Sequence, residues 1–250
     1  MSPTPPPSPA DSSAPTTRDL SHTLESGMPV YPGTDPASLE STATVGHDGY
    51  RARRIDVNSH TGTHVDAPAH MLADGPTLDA YPLETFRFAA RVLDCRPLEA
   101  RERIDAATVR DAADVEAEGA AVEKVDLLVV RTGWEDHWGT DRYFDHPYLT
   151  ADAAEWLVST ASHLALDSLN PDPTPTDDAA DDEPDSYPAH HALFADERLI
   201  LENLCGLDAV PENETFELHA YPLAIGDADG SPVRAVAVLE NQSQNQNEGQ

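Results

Sequence analysis

Residues 60–70 read HTGTHVDAPAH and hold three of the chain's eleven histidines, together with an aspartate, a glycine and a proline. Gly62 and Pro68 disfavour a regular helix here, because glycine is costly inside a helix and proline interrupts it. The stretch therefore predicts the end of a strand that turns through residues 61–63. In such a turn the polar side chains of the window can converge, which indicates a functional site.

The side chains in this window are those that divalent metals accept. Imidazole and carboxylate suit Zn²⁺ and Mn²⁺, and three protein ligands leave a position open for water. His60, His64 and Asp66 form such a set, and His70 can return to the same pocket after the bend at Pro68. A metal can lower the pKa of its bound water to about 7, which makes hydroxide available near neutral pH. A further histidine, with an ordinary pKa of about 6.5, is then the natural proton carrier.

Surface or capping histidines in a polar loop are the alternative interpretation of the window. A lone histidine would favour that alternative. The spacing HxxxHxD, followed by another histidine four residues later, favours a metal site instead, with the false-positive risk of any short motif.

Outside the window, short apolar runs alternate with a few helical patterns. RIDVNSH, where Ile55 and Val57 alternate with polar residues, predicts a strand that runs into the window. Asp105 and Thr150 precede helical patterns and are placed to cap them. The other runs of strand length are FAARVLD, VDLLVVRT, HLALD, RLILENL, FELHAYPLAI and VRAVAVLE. Strands that alternate with few helices predict an α/β domain with a mixed sheet.

The ends of the chain differ in composition from its middle. Residues 1–17 are rich in Pro, Ser and Thr, and residues 241–250 are mostly Gln and Asn, so both are predicted to be disordered tails. A single domain over residues 18–240 is expected between them. Within it, residues 170–188 are almost entirely acidic, Pro, Ser and Thr, and predict a solvated loop insertion. A calcium loop is the alternative, but the EF-hand framework is missing.

The chain is strongly acidic, with 46 Asp and Glu against 15 Lys and Arg, a net charge of −31, and Lys124 as its only lysine. Such a surface repels nucleic acid and anionic lipid, so we expect neither as a partner. Self-repulsion of this size strains a compact state at low salt, and salt screens it. We therefore predict a halophilic protein from a salt-rich cytoplasm. An acidic protein of an ordinary cell is the alternative, and it explains the near-absence of lysine less well.

Cysteine content and the chain start agree with a cytoplasmic location. Cys95 and Cys205 are far apart and form no CxxC pattern, so a disulfide framework and a cysteine zinc site are not expected. They are predicted to be small core residues. The first residues lack the basic start and apolar run of a secretory signal. No apolar run approaches the roughly 18 residues that span a bilayer.

The histidine window and its surroundings resemble one known family. HTGTHVDAPAH is similar to the HxGTHxDxPxH motif of the cyclase family, which includes bacterial kynurenine formamidase and isatin hydrolase, and every motif position matches. Three further segments resemble the family's opening, central strand and late His-to-Glu-Asn-Leu segment: RDLSHTLESGMPVYPGTDP, LLVVRTGW and AHHALFADERLILENL. The resemblance covers most of the chain. It implies a single α/β domain with a mixed, barrel-like β-sheet flanked by helices, a swivelling β/β/α fold.

The resemblance also implies a site with two metal ions, Zn²⁺ in most members and Mn²⁺ in some. It assigns the first metal to three residues of the window, of which the last bridges to the second metal: His60, His64 and Asp66. A histidine and Glu202 would complete the second metal's ligands. The spacing to Glu202 favours His190 for that histidine, with its neighbour His191 as the alternative. His70 would be the catalytic acid/base.

Three aromatic residues and one aspartate complete the predicted site. Trp134 and Trp138 either form an aromatic wall for a planar substrate or anchor a loop, and the sequence favours neither. Tyr31, in the opening segment, is a weaker candidate for lining the pocket. Asp167 resembles an aspartate of the family and is expected to support the site from behind, as metal-ligating histidines commonly require.

The activity that the resemblance implies is metal-dependent hydrolysis of an amide C–N bond. Arylformamidase, which splits N-formylkynurenine into kynurenine and formate in tryptophan catabolism, is the specific expectation. Hydrolysis of another aryl or cyclic amide, such as isatin, a lactam or an imide, is the alternative. A metal-binding member of the fold without turnover is a second alternative. The resemblance further implies a homodimer or homotetramer in which a neighbouring subunit contributes to the pocket.

Overall fold

The computed structural model of the protein describes residues 15–114, 124–212 and 214–240. Most of the predicted N-terminal tail (residues 1–14) and all of the predicted C-terminal tail (residues 241–250) lie outside the described residues. The first strand begins at Thr16, two residues before the predicted start of the domain. Within the described ranges, no helix is long and apolar enough to cross a membrane.

Thirteen strands and four α-helices make up the regular structure of the described residues. The strands are β1 (Thr16–Asp19), β2 (Ser38–Ala43), β3 (Ala52–Asp56), β4 (His64–Asp66), β5 (Arg87–Asp94), β6 (Arg103–Ile104), β7 (Leu127–Arg131), β8 (Tyr148–Leu149), β9 (His163–Leu166), β10 (Ile200–Glu202), β11 (Phe216–His219), β12 (Gly230–Pro232) and β13 (Val236–Leu239). The helices are α1 (Val45–Asp48), α2 (Ala106–Ala112), α3 (Ala151–Ser159) and α4 (Pro188–Ala195). Short 3₁₀ helices include Pro68–His70, which follows β4, and Trp134–His137, which follows β7.

Nine of these strands form one mixed sheet in the order β1-β13-β11-β5-β7-β9-β10-β4-β12. The pairs from β5 through β7 and β9 to β10 are parallel, and the pairs on both sides of them are antiparallel. The sheet curls into a half-barrel. This arrangement confirms the predicted single α/β domain with a mixed, barrel-like sheet.

The central strand β7 shows how the core is built. All five of its residues are buried, as expected for a parallel strand that is covered on both faces. Leu128 and Val130 pack into a cluster with residues of α2, α3 and α4. Leu127 and Val129 alternate with them and pack into a second cluster, formed mainly by the strands, on the opposite face. The helices therefore cover one face of the half-barrel, and the sheet closes over the other.

Two predictions about single elements need correction. RIDVNSH does form a strand, β3, but it pairs only with β2 in a separate hairpin and ends at Asp56. Ile55 is 61% exposed, so the apolar alternation here does not mark a buried face. The strand that enters the site is β4. The helix starts are as predicted, but only Asp105 caps by a side-chain bond, whereas Thr150 donates its hydroxyl to the carbonyl of Ile104.

The acidic segment 170–188 is not a solvated loop throughout. Its first five residues, 170–174, are buried, and Asp172 is fully buried. Asp172 accepts hydrogen bonds from the backbone N–H groups of Ala189 and His190 at the start of α4. The prediction fails here because residues 170–174 run through the interior against the start of α4 before the chain returns to the surface. Residues 177–182 are exposed, as predicted.

Candidate metal centre and active site

The register of β4 against β10 sets the first candidate ligands. β4 lies between β10 and β12, and His64 lies directly opposite Glu202. Side chains two residues apart in a strand point to the same face, and directly opposed residues share a face. His64, Asp66 and Glu202 therefore project together. Val65, between the two ligands, points the other way and is fully buried in the core.

The turn before β4 brings His60 to the same point. Its Nδ1 atom lies 2.6 Å from Asp66 Oδ1. Gly62 sits in this turn at φ +66°, and a Cβ there would come within 2.9 Å of the Met28 side chain. Asn203 fixes the turn from below, because its amide donates to the Gly62 carbonyl at 3.0 Å. The predicted turn at residues 61–63 is thus present, and the close packing at Gly62 and the Asn203 hydrogen bond fix its conformation.

Helix α4 supplies His190 from the face that the helices cover. The side chain is 4% exposed, and its Nε2 atom lies 3.3 Å from Glu202 Oε1. Its Nδ1 atom lies 2.6 Å from the carboxylate of Asp172, which fixes the ring's orientation. His191 is exposed on the outer side of the same helix. The geometry therefore favours His190 over His191 as the ligand.

The centre of this cluster fits a divalent metal. Possible ligand atoms of His60, His64 and Asp66 lie within 4.8 Å of one another, and so do those of Asp66, His190 and Glu202. His64 Nε2 and Glu202 Oε1 are buried atoms without a hydrogen-bond partner in the structure. Leaving buried polar atoms unpaired is costly, and coordination of a cation satisfies them. Asp66 belongs to both groups, which is the arrangement expected of a bridging ligand.

Electrostatics at the cluster favours positive charge. Burial opposes protonation of His64 and His190, but carboxylates outweigh it: Asp66 and Glu202 raise the pKa of His64 well above its usual range. Asp172 and Glu202 raise the pKa of His190 to about 10. Burial would raise the pKa of Asp66, yet His64 and His60 hold it well below its ordinary value. The raised pKa values of His64 and His190 favour protonation of the cluster, and a divalent cation would compete with these protons on binding.

His70 lies beside this cluster in a different environment. It ends the 3₁₀ helix after β4, and its ring centroid is 3.9 Å from that of His60. Burial is the main effect on its pKa and lowers it below the ordinary value, so the ring is neutral at pH 7. Its Nδ1 atom lies 3.4 Å from Asp229 Oδ2. A neutral imidazole beside such a candidate metal site can accept and return a proton.

Tyr31 reaches the site through a second tyrosine that the sequence did not single out. The hydroxyl groups of Tyr31 and Tyr187 lie 3.2 Å apart. Tyr187 in turn makes an edge contact with the ring of His190, with centroids 6.0 Å apart. Burial raises the pKa of Tyr31, as do Tyr187 and the charges of Asp172 and Glu202, so its hydroxyl stays protonated. The pair forms an aromatic side of the cluster that can donate hydrogen bonds.

The two tryptophans occupy different positions. Trp134 is 2% exposed and packs with Tyr143 and Leu169, so the structure favours the loop-anchor interpretation for it. Trp138 stacks on His22 with ring centroids 3.7 Å apart, at the edge of the same aromatic cluster that includes Tyr31. Trp138 therefore remains a candidate for the substrate wall.

Asp167 is fully buried, but its hydrogen bonds go to a turn. Its carboxylate accepts from the backbone N–H groups of Thr132 and Gly133 and from the Thr132 hydroxyl. These bonds hold the turn that leads from β7 to Trp134. The candidate ligands His190 and His60 are contacted instead by Asp172 and Asp229, neither of which the sequence singled out. Neither aspartate is recognisable as a site residue from the sequence. Asp172 is one of many acidic residues in its segment, and Asp229 precedes a glycine in a stretch without a motif.

Fold and site together define a class. A half-barrel that buries imidazole and carboxylate ligands, with a neutral histidine beside them, has the parts of a metal-dependent hydrolase. The sequence matches the family described as "Putative cyclase" over residues 18–173. The chain belongs to this family.

Individual relatives extend the likeness over nearly the whole chain. The kynurenine formamidase of Bacillus mycoides (strain KBAB4) is 34% identical over 221 residues, which is 87% of this chain and 95% of that protein. Among solved structures, an isatin hydrolase bound to the product analogue thioisatinate matches with a TM-score of 0.78 and 23% identity, over 92% of this chain and 94% of its own. Isatin hydrolase A from Labrenzia aggregata, bound to benzyl benzoate, matches with a TM-score of 0.76 and 25% identity, over 92% and 96% of the two chains.

Proposed function

We propose that the protein is an arylformamidase that converts N-formylkynurenine to kynurenine and formate, a step of tryptophan catabolism. The protein is a metal-dependent hydrolase of amide C–N bonds, and the substrate is the new element of the proposal. The observation that carries it is the likeness to kynurenine formamidases, which extends over 95% of the relative's length. The cluster of four histidines, Asp66 and Glu202 supplies the chemistry that such a reaction needs.

Two of the three groups of possible ligand atoms share Asp66 and fit two metal ions per chain, whereas the third joins His60, His70 and Asp229. We propose that His60, His64 and Asp66 hold the first and that Asp66, His190 and Glu202 hold the second. Imidazole and carboxylate suit Zn²⁺, which we expect, and also Mn²⁺. When bound, the metal supplies Lewis acidity that polarises the formyl carbonyl and lowers the pKa of a water molecule.

The chain's own residues carry the proton steps. His70 accepts a proton from the attacking water as the C–O bond forms, and it returns the proton to the nitrogen as the C–N bond breaks. Formate and an aromatic amine leave. We assign Tyr31, Tyr187 and Trp138 to the aromatic part of the substrate. Tyr187 contacts the His190 ring, the Tyr31 hydroxyl lies 3.2 Å from that of Tyr187, and Trp138 packs in the same cluster as Tyr31.

Hydrolysis of a cyclic aryl amide is the second candidate. The likeness to isatin hydrolase A from Labrenzia aggregata, at 25% identity and a TM-score of 0.76, favours it. Both reactions use the same metal chemistry, and they differ in whether the scissile amide lies in a ring. The proposed metal ligands would serve either reaction, so they do not distinguish the two substrates. An assay with both substrates does.

The test is hydrolysis of N-formylkynurenine in high salt by metal-stripped protein, before and after addition of Zn²⁺ or Mn²⁺, with isatin assayed in parallel. We expect turnover of N-formylkynurenine only after metal is added, and His70→Ala should lower it by about 10²- to 10⁴-fold. Turnover of isatin alone would move the substrate to the second candidate. Metal binding without turnover of any amide would indicate a binding protein. A chain that binds no metal would contradict the whole proposal.

Assembly and location are part of the proposal. We expect a homodimer or homotetramer that acts in a salt-rich cytoplasm, and light scattering coupled to size-exclusion chromatography at high salt measures the assembly directly. A monomer that hydrolyses N-formylkynurenine at full rate would show that no neighbouring subunit is needed at the pocket.

A further inference from the structure

Asp229 lies between the metal ligands and the acid/base histidine. Its Oδ2 atom is 2.9 Å from His60 Nε2 and 3.4 Å from His70 Nδ1. A carboxylate only accepts hydrogen bonds, so both ring nitrogens must be donors to this one oxygen. The two histidines belong to different parts of the proposed machinery, and Asp229 is the contact that they share.

The backbone places this carboxylate firmly. Ala67, the residue after Asp66, donates its N–H to the Asp229 carbonyl at 2.8 Å. Gly230 pairs with Asp66 across β12 and β4. A Cβ at Gly230 would come within 2.5 Å of His60 Cε1, so the chain runs directly against the His60 ring. Asp229 is therefore fixed relative to both histidines by the edge strand, although its side chain is 44% exposed.

The contact with Asp229 determines which ring nitrogen of His60 and which ring nitrogen of His70 keeps a proton. In His60, the Nδ1 atom faces Asp66 and Nε2 faces Asp229. Both partners are carboxylates, so without a metal each nitrogen shares a proton with one of them. A metal would take the place of the proton on Nδ1, whereas the proton on Nε2 would stay with Asp229. In His70, a proton kept on Nδ1 leaves Nε2 free to accept one from water. A partner on one imidazole nitrogen selects the tautomer and raises the basicity of the other nitrogen.

We propose that Asp229 is a positioning residue that holds the metal ligand His60 and the acid/base His70 through one carboxylate oxygen. The proposal rests on the proposed function for His70, and it adds that metal affinity and turnover depend on the same side chain. Loss of a carboxylate behind a ligand histidine typically lowers metal affinity or activity by about 10- to 100-fold. At Asp229 both quantities should fall.

Two substitutions and a matched control test the idea. Asp229→Asn keeps the size and one acceptor oxygen but removes the charge, and Asp229→Glu keeps the carboxylate on a longer stem. Asp227→Asn removes the same charge two residues away, at an exposed position of the same segment. Zinc affinity is measured by competition with a chelator, without substrate. Values of kcat and KM are then measured at saturating zinc with N-formylkynurenine.

We expect Asp229→Asn to lower zinc affinity and kcat each by about 10-fold or more, with KM little changed. Asp229→Glu should restore part of both losses, and Asp227→Asn should behave as wild type. If Asp229→Asn matched Asp227→Asn in both measurements, the proposal would be overturned. It would also be overturned by a loss in only one of them, because the shared oxygen must serve both histidines.

A spectroscopic measurement separates this proposal from the proposed function. Nitrogen-15 NMR of the histidine rings reports which nitrogen carries the proton, and it needs no turnover. We expect the His70 ring to hold its proton on Nδ1 in wild type and in Asp227→Asn, and to lose this preference in Asp229→Asn. If wild type failed to hydrolyse N-formylkynurenine but showed this pattern, only the proposed substrate would fail. An unchanged His70 tautomer in Asp229→Asn would overturn the positioning role.

Discussion

At the scale of single residues, three of the site histidines separate into two kinds by their surroundings. His64 and His190 are 2% and 4% exposed and lie against buried carboxylates, which suits permanent ligands. His70 is 28% exposed, its carboxylate partner is half exposed, and burial lowers its pKa. An imidazole that is neutral at pH 7 and reaches solvent is suited to accepting and releasing protons. An imidazole that is buried against carboxylates is held in one charge state and is not suited to this role.

Replacing His70 with alanine should therefore separate binding from chemistry. We expect His70→Ala to retain two metals per chain and to lose turnover by about 10²- to 10⁴-fold, the usual contribution of a general acid or base. Metal content by mass spectrometry and kcat measure the two effects. His191→Ala is the control, since His191 lies exposed on α4 next to the proposed ligand His190. Loss of metal in His70→Ala would make His70 a ligand, and unchanged turnover would remove its proposed role.

A histidine far from the site should make stability depend on pH. His163 Nδ1 accepts the backbone N–H of Leu199 at 2.9 Å, and burial lowers the pKa of His163 from 6.5 to about 4. The unfolded chain binds a proton near pH 6.5, so between pH 6.5 and 4 it binds more protons than the folded chain. Stability therefore falls as pH falls through this window, by about 2 kcal/mol at pH 5 for this residue.

His163→Asn tests that effect, because the amide oxygen of asparagine can accept the same N–H while adding no titration. Urea unfolding near pH 7.5 and pH 5 should show a smaller difference in the free energy of unfolding for His163→Asn than for wild type. His47→Asn, at a ring that is 89% exposed, should keep the wild-type difference. Identical pH dependence in wild type and His163→Asn would contradict the assignment.

The residues of the site differ in how well the sequence could predict them. The histidine window is recognisable because rare residue types recur there at fixed spacing. Asp172 and Asp229 were missed because carboxylates are common in this chain, with 46 Asp and Glu among 250 residues. Nothing local distinguishes a carboxylate behind a histidine from one in solvent. Only the folded chain, which joins Asp229 to His60 across 169 residues, makes that distinction.

At the scale of elements, strand register brings together site residues that are far apart in the sequence. Within the motif, short spacing alone keeps the residues close. His64 and Glu202 are 138 positions apart, and they meet because β4 and β10 pair with these two residues opposed. A shift of one residue would turn Glu202 to the core face and bring Leu201 into the site. The sequence predicts that β10 exists, since its run is apolar, but it does not encode the pairing in any local pattern.

Helix starts offer a test at the same scale, because two predicted caps behave differently. Asp105 accepts the Thr108 N–H at 2.9 Å, whereas Thr150 stands at the start of α3 without a side-chain cap bond. Asp105→Ala should lower the free energy of unfolding by about 1 kcal/mol through loss of the cap. Thr150→Ala should cost less, since the Thr150 hydroxyl bonds the Ile104 carbonyl and the Asp152 carboxylate and caps no N–H group of the first turn. Urea unfolding measures both, and a larger cost for Thr150→Ala would contradict this ranking.

At the scale of the whole molecule, the order of the sheet comes from contacts between distant parts of the chain. β1 pairs with β13, so that Thr16 lies opposite Leu239, near the other end of the domain. The fold class was predicted from alternating strands and helices, and its barrel-like shape from the family resemblance. Strand order and the buried course of residues 170–174 were not, because they depend on which apolar surfaces pack together after collapse.

Charge is also a property of the whole molecule. Arginines form close ion pairs with acidic side chains. Arg131, itself buried, contacts the exposed carboxylates of Asp208 and Glu212. With 15 basic residues against 46 acidic ones, carboxylates outnumber cations about three to one. Repulsion among exposed carboxylates weakens the compact state and is reduced by screening. Stability should therefore rise with salt.

We expect the melting temperature to rise steeply between dilute buffer and about 1 M KCl, where the Debye length has fallen to about 3 Å, and more slowly beyond it. Circular dichroism melts across a KCl series measure this.

Removing three charges from the exposed part of the acidic segment, with Asp177→Asn, Asp178→Asn and Asp181→Asn combined, should raise the melting temperature in dilute buffer and flatten the salt dependence. A melting temperature independent of KCl, with full activity in dilute buffer, would contradict adaptation to a salt-rich cytoplasm. A rise that continued unchanged to 3 M KCl would instead point to exclusion of salt from the protein surface, because screening is nearly complete by 1 M.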